Sequence, residues 1–105
     1  MLRPYLKVEH VDATIPSSFA LEQNFPNPFN PVTNISFGLF TSGLTSIDLF
    51  DINGKKVRQL MNQQLSAGRH SYRLNGSELS SGMYLYTINV KGSSGRLLFS
   101  ETKKI

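Results

Sequence analysis

A chain of 105 residues with no cysteine has room for one domain, held by packing rather than by disulfides or thiolate-bound metal. Its net charge of +4 is scattered, apart from the pairs Lys55-Lys56 and Lys103-Lys104, and lacks the concentrated basic face of a nucleic-acid binder. No apolar run approaches the ~20 residues of a membrane-spanning helix, and residues 1–10 carry charges and a proline where a secretory signal has an apolar core.

Residues 4–15 read as an extended approach in which neither alternating side is cleanly apolar, a linker able to supply an edge strand. Pro16-Ser17-Ser18 punctuates it, so the expected division is a linker over 1–17 and a domain over 18–105. Phe19 and Leu21 suggest a short first strand. Then comes Asn24-Phe25-Pro26-Asn27-Pro28-Phe29-Asn30-Pro31, which holds three of the five prolines. Each proline fixes φ near about −65° and removes a donor, which excludes a helix and a central strand. Asn27 and Asn30 can close turns through their side chains. Phe25 and Phe29 are expected to pin this corner onto the core.

From Thr33 the apolar residues Ile35, Phe37 and Leu39 alternate with polar or small ones, as in a strand with one buried face. Thr41-Ser42-Gly43 turns the chain, and Ile47 and Leu49 resume the alternation. Asp51-Ile52-Asn53-Gly54 is the strongest hairpin signal and predicts a type I′ turn. The return strand is expected from Lys55 to about Met61, followed by a polar break at Asn62, Gln63 and Gln64 and a turn at Ala67-Gly68. His70, Tyr72 and Leu74 form the next buried face, and Leu79 is expected to dock under a crossing loop. Tyr84, Tyr86, Ile88 and Val90 mark the strongest strand. A last strand follows Gly95, with Leu97, Phe99 and Ile105 as its expected core contacts. About seven strands with frequent turn signals and no helical period predict an all-β antiparallel sandwich, with a small barrel as the competing architecture.

Catalytic chemistry needs converging groups, and none can be nominated. His10 lies in the linker. His70 lies among core residues, where a structural role is favoured over that of a general base. No Gly-x-Ser-x-Gly elbow is present, and Asp48, Asp51, Glu78 and Glu101 are dispersed. Asp51-x-Asn53-Gly54 resembles the start of a calcium loop, but Lys55 and Lys56 follow where further acidic ligands belong, which favours a turn. The reading is a non-enzyme without cofactor or metal.

Together the motifs resemble type A C-terminal sorting domains of the type IX secretion system, an immunoglobulin-like family. Residues 21–37, from Leu21-Glu22-Gln23-Asn24 through the proline corner, look like its opening signature. Ile47-Asp48-Leu49-Phe50-Asp51-Ile52-Asn53-Gly54-Lys55-Lys56-Val57 resembles its hairpin, with Phe50 in the usual tyrosine place. Leu65-Ser66-Ala67-Gly68-Arg69-His70 is similar to its Ala-Gly turn, and Ser81-Gly82-Met83-Tyr84-Leu85-Tyr86 to its Ser-Gly-Val-Tyr-Phe-Tyr segment. Thr102-Lys103-Lys104-Ile105 is similar to the start of its terminal Lys-Met strand.

The resemblance implies a β-sandwich of about seven strands that directs a larger cargo through the outer-membrane secretion machinery of Bacteroidota-type bacteria. It further implies removal by a sortase-like peptidase, which places the cut in the segment 4–18, and delivery of the cargo to the cell surface or medium. No nucleic acid and no membrane insertion are implied. Leu74-Asn75-Gly76 departs from the family's Trp-Asn/Asp-Gly, and Phe40 stands where a proline is usual. Members commonly continue several residues past the position of Ile105. Lys103, Lys104 and Ile105 are the candidate recognition end. Asn24, Pro26, Asn27, Pro28, Phe29, Asn30, Pro31, Asp51, Gly54, Gly68, Gly82 and Tyr84 are the candidate structural signature. The alternative is an immunoglobulin-like accessory module that binds polysaccharide on exposed tyrosines, or a spacer beside an enzyme.

Overall fold

Period-two segments with one apolar face must bury that face against another sheet, and this chain does so twice. A computed structural model describes residues 8–12, 15–27, 31–80 and 82–105. Among these, eight strands form two four-stranded antiparallel sheets that pack as a sandwich: β1 (Val8–Asp12), β2 (Ala20–Leu21), β3 (Val32–Leu39), β4 (Gly43–Asp51), β5 (Lys56–Leu65), β6 (Gly68–Asn75), β7 (Tyr84–Lys91) and β8 (Leu97–Lys104). One sheet runs β1-β6-β3-β2 and the other β5-β4-β7-β8, so no barrel closes. The segment Gly76–Glu78 is a single 3-10 turn that begins at Asn75, whose Oδ1 accepts the Ser77 N–H at 3.0 Å.

The order matches an immunoglobulin-type sandwich in which β2, β3 and β6 take the A, B and E places and β4, β7 and β8 those of C, F and G. β5 is the extra strand beside C. The place beside E, which strand D holds in constant-type domains, is filled here by β1 from the start of the chain, paired from Val8 opposite Tyr72 to Asp12 opposite Arg69. The linker's anticipated edge strand is therefore present.

The core is the inner face of both sheets. Ile35, Phe37 and Leu39 of β3, with Tyr72 and Leu74 of β6, meet Ile47 and Leu49 of β4 and Tyr86, Ile88 and Val90 of β7. Phe19, Leu60, Leu79, Phe99 and Ile105 pack around this centre. His70 is buried in β6, with Nε2 2.8 Å from the Ser66 carbonyl and its ring stacked on Phe37.

Four expectations change. β5 does not stop near Met61 but continues to Leu65, because Asn62 and Gln64 are its solvent face while Met61 and Leu65 point inward. Register shifts beside Ile47 and Leu49 displace the pairing with β4 and blur the alternation on which the sequence reading relied. The hairpin is not type I′. Among the described residues only glycines have positive φ, so Asn53 does not, and the loop closes with Gly54 at φ 85°. Gly54 N–H donates to the Asp51 carbonyl at 3.0 Å, and Asp51 N–H donates to the Lys55 carbonyl at 2.9 Å, the three-residue loop with a glycine bulge. Leu97 is 52% exposed rather than a core contact, since it precedes the register shift that turns Phe99 inward. Phe25 is 78% exposed and pins nothing. Pro28, Phe29, Asn30 and Ser81 lie outside the described residues, as do Tyr5 and the rest of 1–7.

Gly43 opens β4 close against the end of β7, its neighbour in the same sheet. A Cβ there would lie 2.7 Å from Val90 Cγ1 and 2.8 Å from the Lys91 carbonyl oxygen, both fixed by the β7 ladder. Gly43→Ala is expected to lower stability by about 1–3 kcal/mol in urea denaturation. Gly92→Ala, whose Cβ meets only the tip of Leu98 at 3.4 Å, is expected to change it by less than about 0.5 kcal/mol.

Candidate functional site

A tyrosine that faces inward from a central strand must find partners for its hydroxyl once water is excluded. Tyr86 in β7 is fully buried; its Oη donates to the Glu22 carbonyl at 2.7 Å and accepts the Asn24 N–H at 2.8 Å. Both partners follow β2. Glu22 N–H still pairs with the Ser36 carbonyl at 2.9 Å, and the chain then leaves the ladder and dips between the sheets.

Asn24 is the residue that dips, at 1% exposure. Its Nδ2 donates to Thr33 Oγ1 at 2.9 Å and to the Pro26 carbonyl at 3.3 Å, and its Oδ1 accepts from Gln23 Nε2 at 2.6 Å. Thr33, fully buried at the start of β3, donates from Oγ1 to the same Pro26 carbonyl at 2.9 Å. Phe25 and Asn34 exchange backbone hydrogen bonds of 3.0 and 2.9 Å, and the Pro31 carbonyl accepts the Gly76 N–H at 2.7 Å. The described part of the proline corner is thus held by polar groups, not by the Phe25 ring. Among the described residues no buried side-chain nitrogen or oxygen lacks a partner.

The same network reaches the end of the chain. Gln23 Nε2 also donates to the Lys104 carbonyl at 2.6 Å, and Ile105 N–H donates to the Tyr84 carbonyl at 3.0 Å. Tyr84 Oη in turn donates to the Ser80 carbonyl at 2.7 Å. The candidate recognition residues therefore occupy three different settings. Lys103 lies opposite Tyr86 on the inner side of β8, 3.5 Å from Glu101, with its side chain 29% exposed. Lys104 lies opposite Leu85 on the outer face and is exposed. Ile105 is half-buried against the core.

The other signature residues sort by what they hold. Asp51 Oδ1 accepts the N–H groups of Asn53 at 2.9 Å and Lys55 at 3.0 Å, so the carboxylate is engaged as a turn cap. Gly54, Gly68 and Gly82 all have positive φ, and Gly54 is required by the hairpin loop. Pro26 and Asn27 are exposed. Among the described residues no group of three or more histidine, aspartate or glutamate side chains could hold a metal ion. Tyr72, Tyr84 and Tyr86 are buried, which removes them as a sugar-stacking platform.

Sequence reasoning missed the roles of Gln23, Thr33 and the Tyr86 hydroxyl. A signal existed: an inward tyrosine in the strongest strand demands a polar partner, and Asn24 is the amide flanking the corner. Nothing in the linear order says that these two meet.

Burial raises the Tyr86 hydroxyl to about 12, with the Glu101 charge adding to the rise and the hydrogen bond from the Asn24 backbone opposing it. The unfolded hydroxyl titrates near ~10, so the folded state keeps its proton to higher pH. The Tyr86 contribution to stability is therefore complete below pH ~10 and falls between ~10 and about 12. Tyr86→Phe is expected to lose about 1–3 kcal/mol at neutral pH and to show a shallower decline over that alkaline window in urea denaturation. Asn24→Ala is expected to cost a similar ~1–3 kcal/mol, whereas Phe25→Ala is expected to change stability by less than about 0.5 kcal/mol.

A comparison with known families places the chain within one of them. The family model described as a secretion system C-terminal sorting domain covers residues 23–98, from the Gln23–Asn24 network to the start of β8. No curated protein and no solved structure matches the chain.

Proposed function

Since the chain belongs to the secretion system C-terminal sorting domain family of type IX secretion, we propose that it is a non-catalytic sorting signal that carries a larger cargo, joined upstream, to the secretion machinery. The observation that carries this reading is the family match over most of the sandwich. The geometry supports it by dividing the labour: the signature residues around Asn24 build the fold, and the end of the chain stands at the rim of the sandwich. Lys104 is exposed there, its carbonyl tied to Gln23, so a folded domain presents this end in one orientation.

In this reading the sorting domain spans 18–105, and the preceding segment, whose β1 pairs with β6, links it to cargo. An outer-membrane component of a Bacteroidota-type system reads Lys103, Lys104 and Ile105, and a sortase-like peptidase cuts in the segment 4–18. Ile15, Ser17 and Ser18 are exposed, as a cleavable connection must be. The cargo is then delivered to the cell surface or the medium.

The test fuses the full chain, β1 included, to a periplasm-directed reporter in a host that carries the secretion system. Delivery of the reporter across the outer membrane is the expected result, and retention of a folded fusion in the periplasm overturns the reading. Lys104→Glu is expected to reduce delivery without a change in melting temperature, because the side chain makes no contact with the core.

A further inference from the structure

Among the described residues the sandwich has one regular edge left open. β8 pairs with β7 on one side from Leu97 opposite Lys91 to Lys104 opposite Leu85, and after the register shift beside Val90 the pairing is unbroken from Phe99 to Lys104. Ile105 N–H bonds to the Tyr84 carbonyl, so by antiparallel alternation the odd-numbered residues of β8 bond to β7. Ser100, Thr102 and Lys104 direct their N–H and C=O groups to the open side. Gln23 Nε2 already donates to one of these outward groups, the Lys104 carbonyl. The opposite edge of this sheet differs: the β4–β5 pairing is broken twice and the strand carries Lys56 and Arg58, features that blunt strand addition.

A second feature adjoins this edge. Phe19, Phe40 and Phe99 form a cluster where β2 and β8 approach, with Phe19 stacked on Phe99 at 5.5 Å and edge-on to Phe40 at 6.3 Å. Phe40 is 50% exposed and Leu98 40%. Along the inner side of β8 the order is therefore aromatic at Phe99, acidic at Glu101 and basic at Lys103. Inward charges of this kind discourage indiscriminate pairing with an apolar strand, and so they select what is added.

The geometry points to β8 as the docking edge for an extended segment of the secretion machinery, added as a ninth strand over Phe99 to Lys104. That segment carries a large apolar side chain facing Phe99 and Phe40, a neutral polar one facing Glu101, and a carboxylate facing Lys103. Backbone bonds to Ser100, Thr102 and Lys104 supply affinity, and the side chains supply register. The partner assignment rests on the sorting reading; the strand-adding edge itself does not.

Ser100→Pro removes one outward N–H where proline is tolerated, since that donor serves no ladder bond. In the full chain fused to the reporter, this variant is expected to melt with the parent and to lose delivery. A second experiment needs no secretion host. The full chain, labelled for amide NMR, is titrated with a short capped peptide that alternates threonine with phenylalanine, glutamine and glutamate, in both sequence directions. Shifts at Ser100, Thr102 and Lys104 are expected, and a version N-methylated at alternate amides is expected to cause none. Delivery of folded Ser100→Pro at the parent level overturns the edge as the docking site. Equal shifts with the N-methylated peptide, or the same shifts on concentrating the chain alone, overturn it too, the latter because a second copy is then the occupant. If the parent fusion is not delivered, the sorting reading fails while the titration still decides whether the edge adds a strand.

Discussion

A hydroxyl that has lost its water governs this sandwich. Tyr86 lies in the middle of β7, where the packing of Ile88, Val90 and Leu49 leaves no solvent, and its Oη needs both a donor and an acceptor. The chain meets that need by carrying the segment after β2 inward, so that the Glu22 carbonyl and the Asn24 N–H arrive together. Once Asn24 is inside, its own amide must be satisfied, and Thr33, the Pro26 carbonyl and Gln23 complete the set. Each bond is modest by itself, but removing a partner strands a buried group, and that asymmetry gives the network its weight.

The network also explains how a small sandwich without disulfides keeps its two sheets aligned. Apolar burial is non-directional and tolerates sliding of one sheet over the other. Directional bonds from β7 to the segment after β2, and from there to β3 and to the end of β8, remove that freedom. The domain's first signature and its last residues are thereby coupled through one side chain, Gln23, although 81 positions separate it from Lys104. The orientation of the end of β8 is therefore set by correct folding of the segment after β2.

Edges complete the picture. β1 covers β6, and the bulged pairing with β4 and the cationic side chains of β5 protect the other sheet on one side. β8 alone combines regular register with an adjoining aromatic cluster. Glu101 and Lys103 place an ion pair on the inner side of β8, where inward charge discourages indiscriminate strand pairing.

Much of this was legible from sequence because it is local. Alternation placed Ile35, Phe37, Tyr84 and Tyr86 inside, and turn chemistry placed the hairpin at Asp51 to Gly54. The resemblance across five motifs identified the family. What failed did so for physical reasons. Bulges in the β4–β5 pairing hid the length of β5. The expectation that Phe25 anchors the proline corner ignored the corner's backbone groups, which draw Asn24 rather than Phe25 into the core. Amino-acid order by itself determined strand content and the sandwich, which follow from periodicity and short-range turns, and the family, which follows from the likeness of its motifs. Only the tertiary structure decided that Asn24, Thr33, Gln23 and Tyr86 form one network, and that β8 is left with an open edge. Those outcomes depend on which distant strands become neighbours when water is expelled, and no local pattern encodes that.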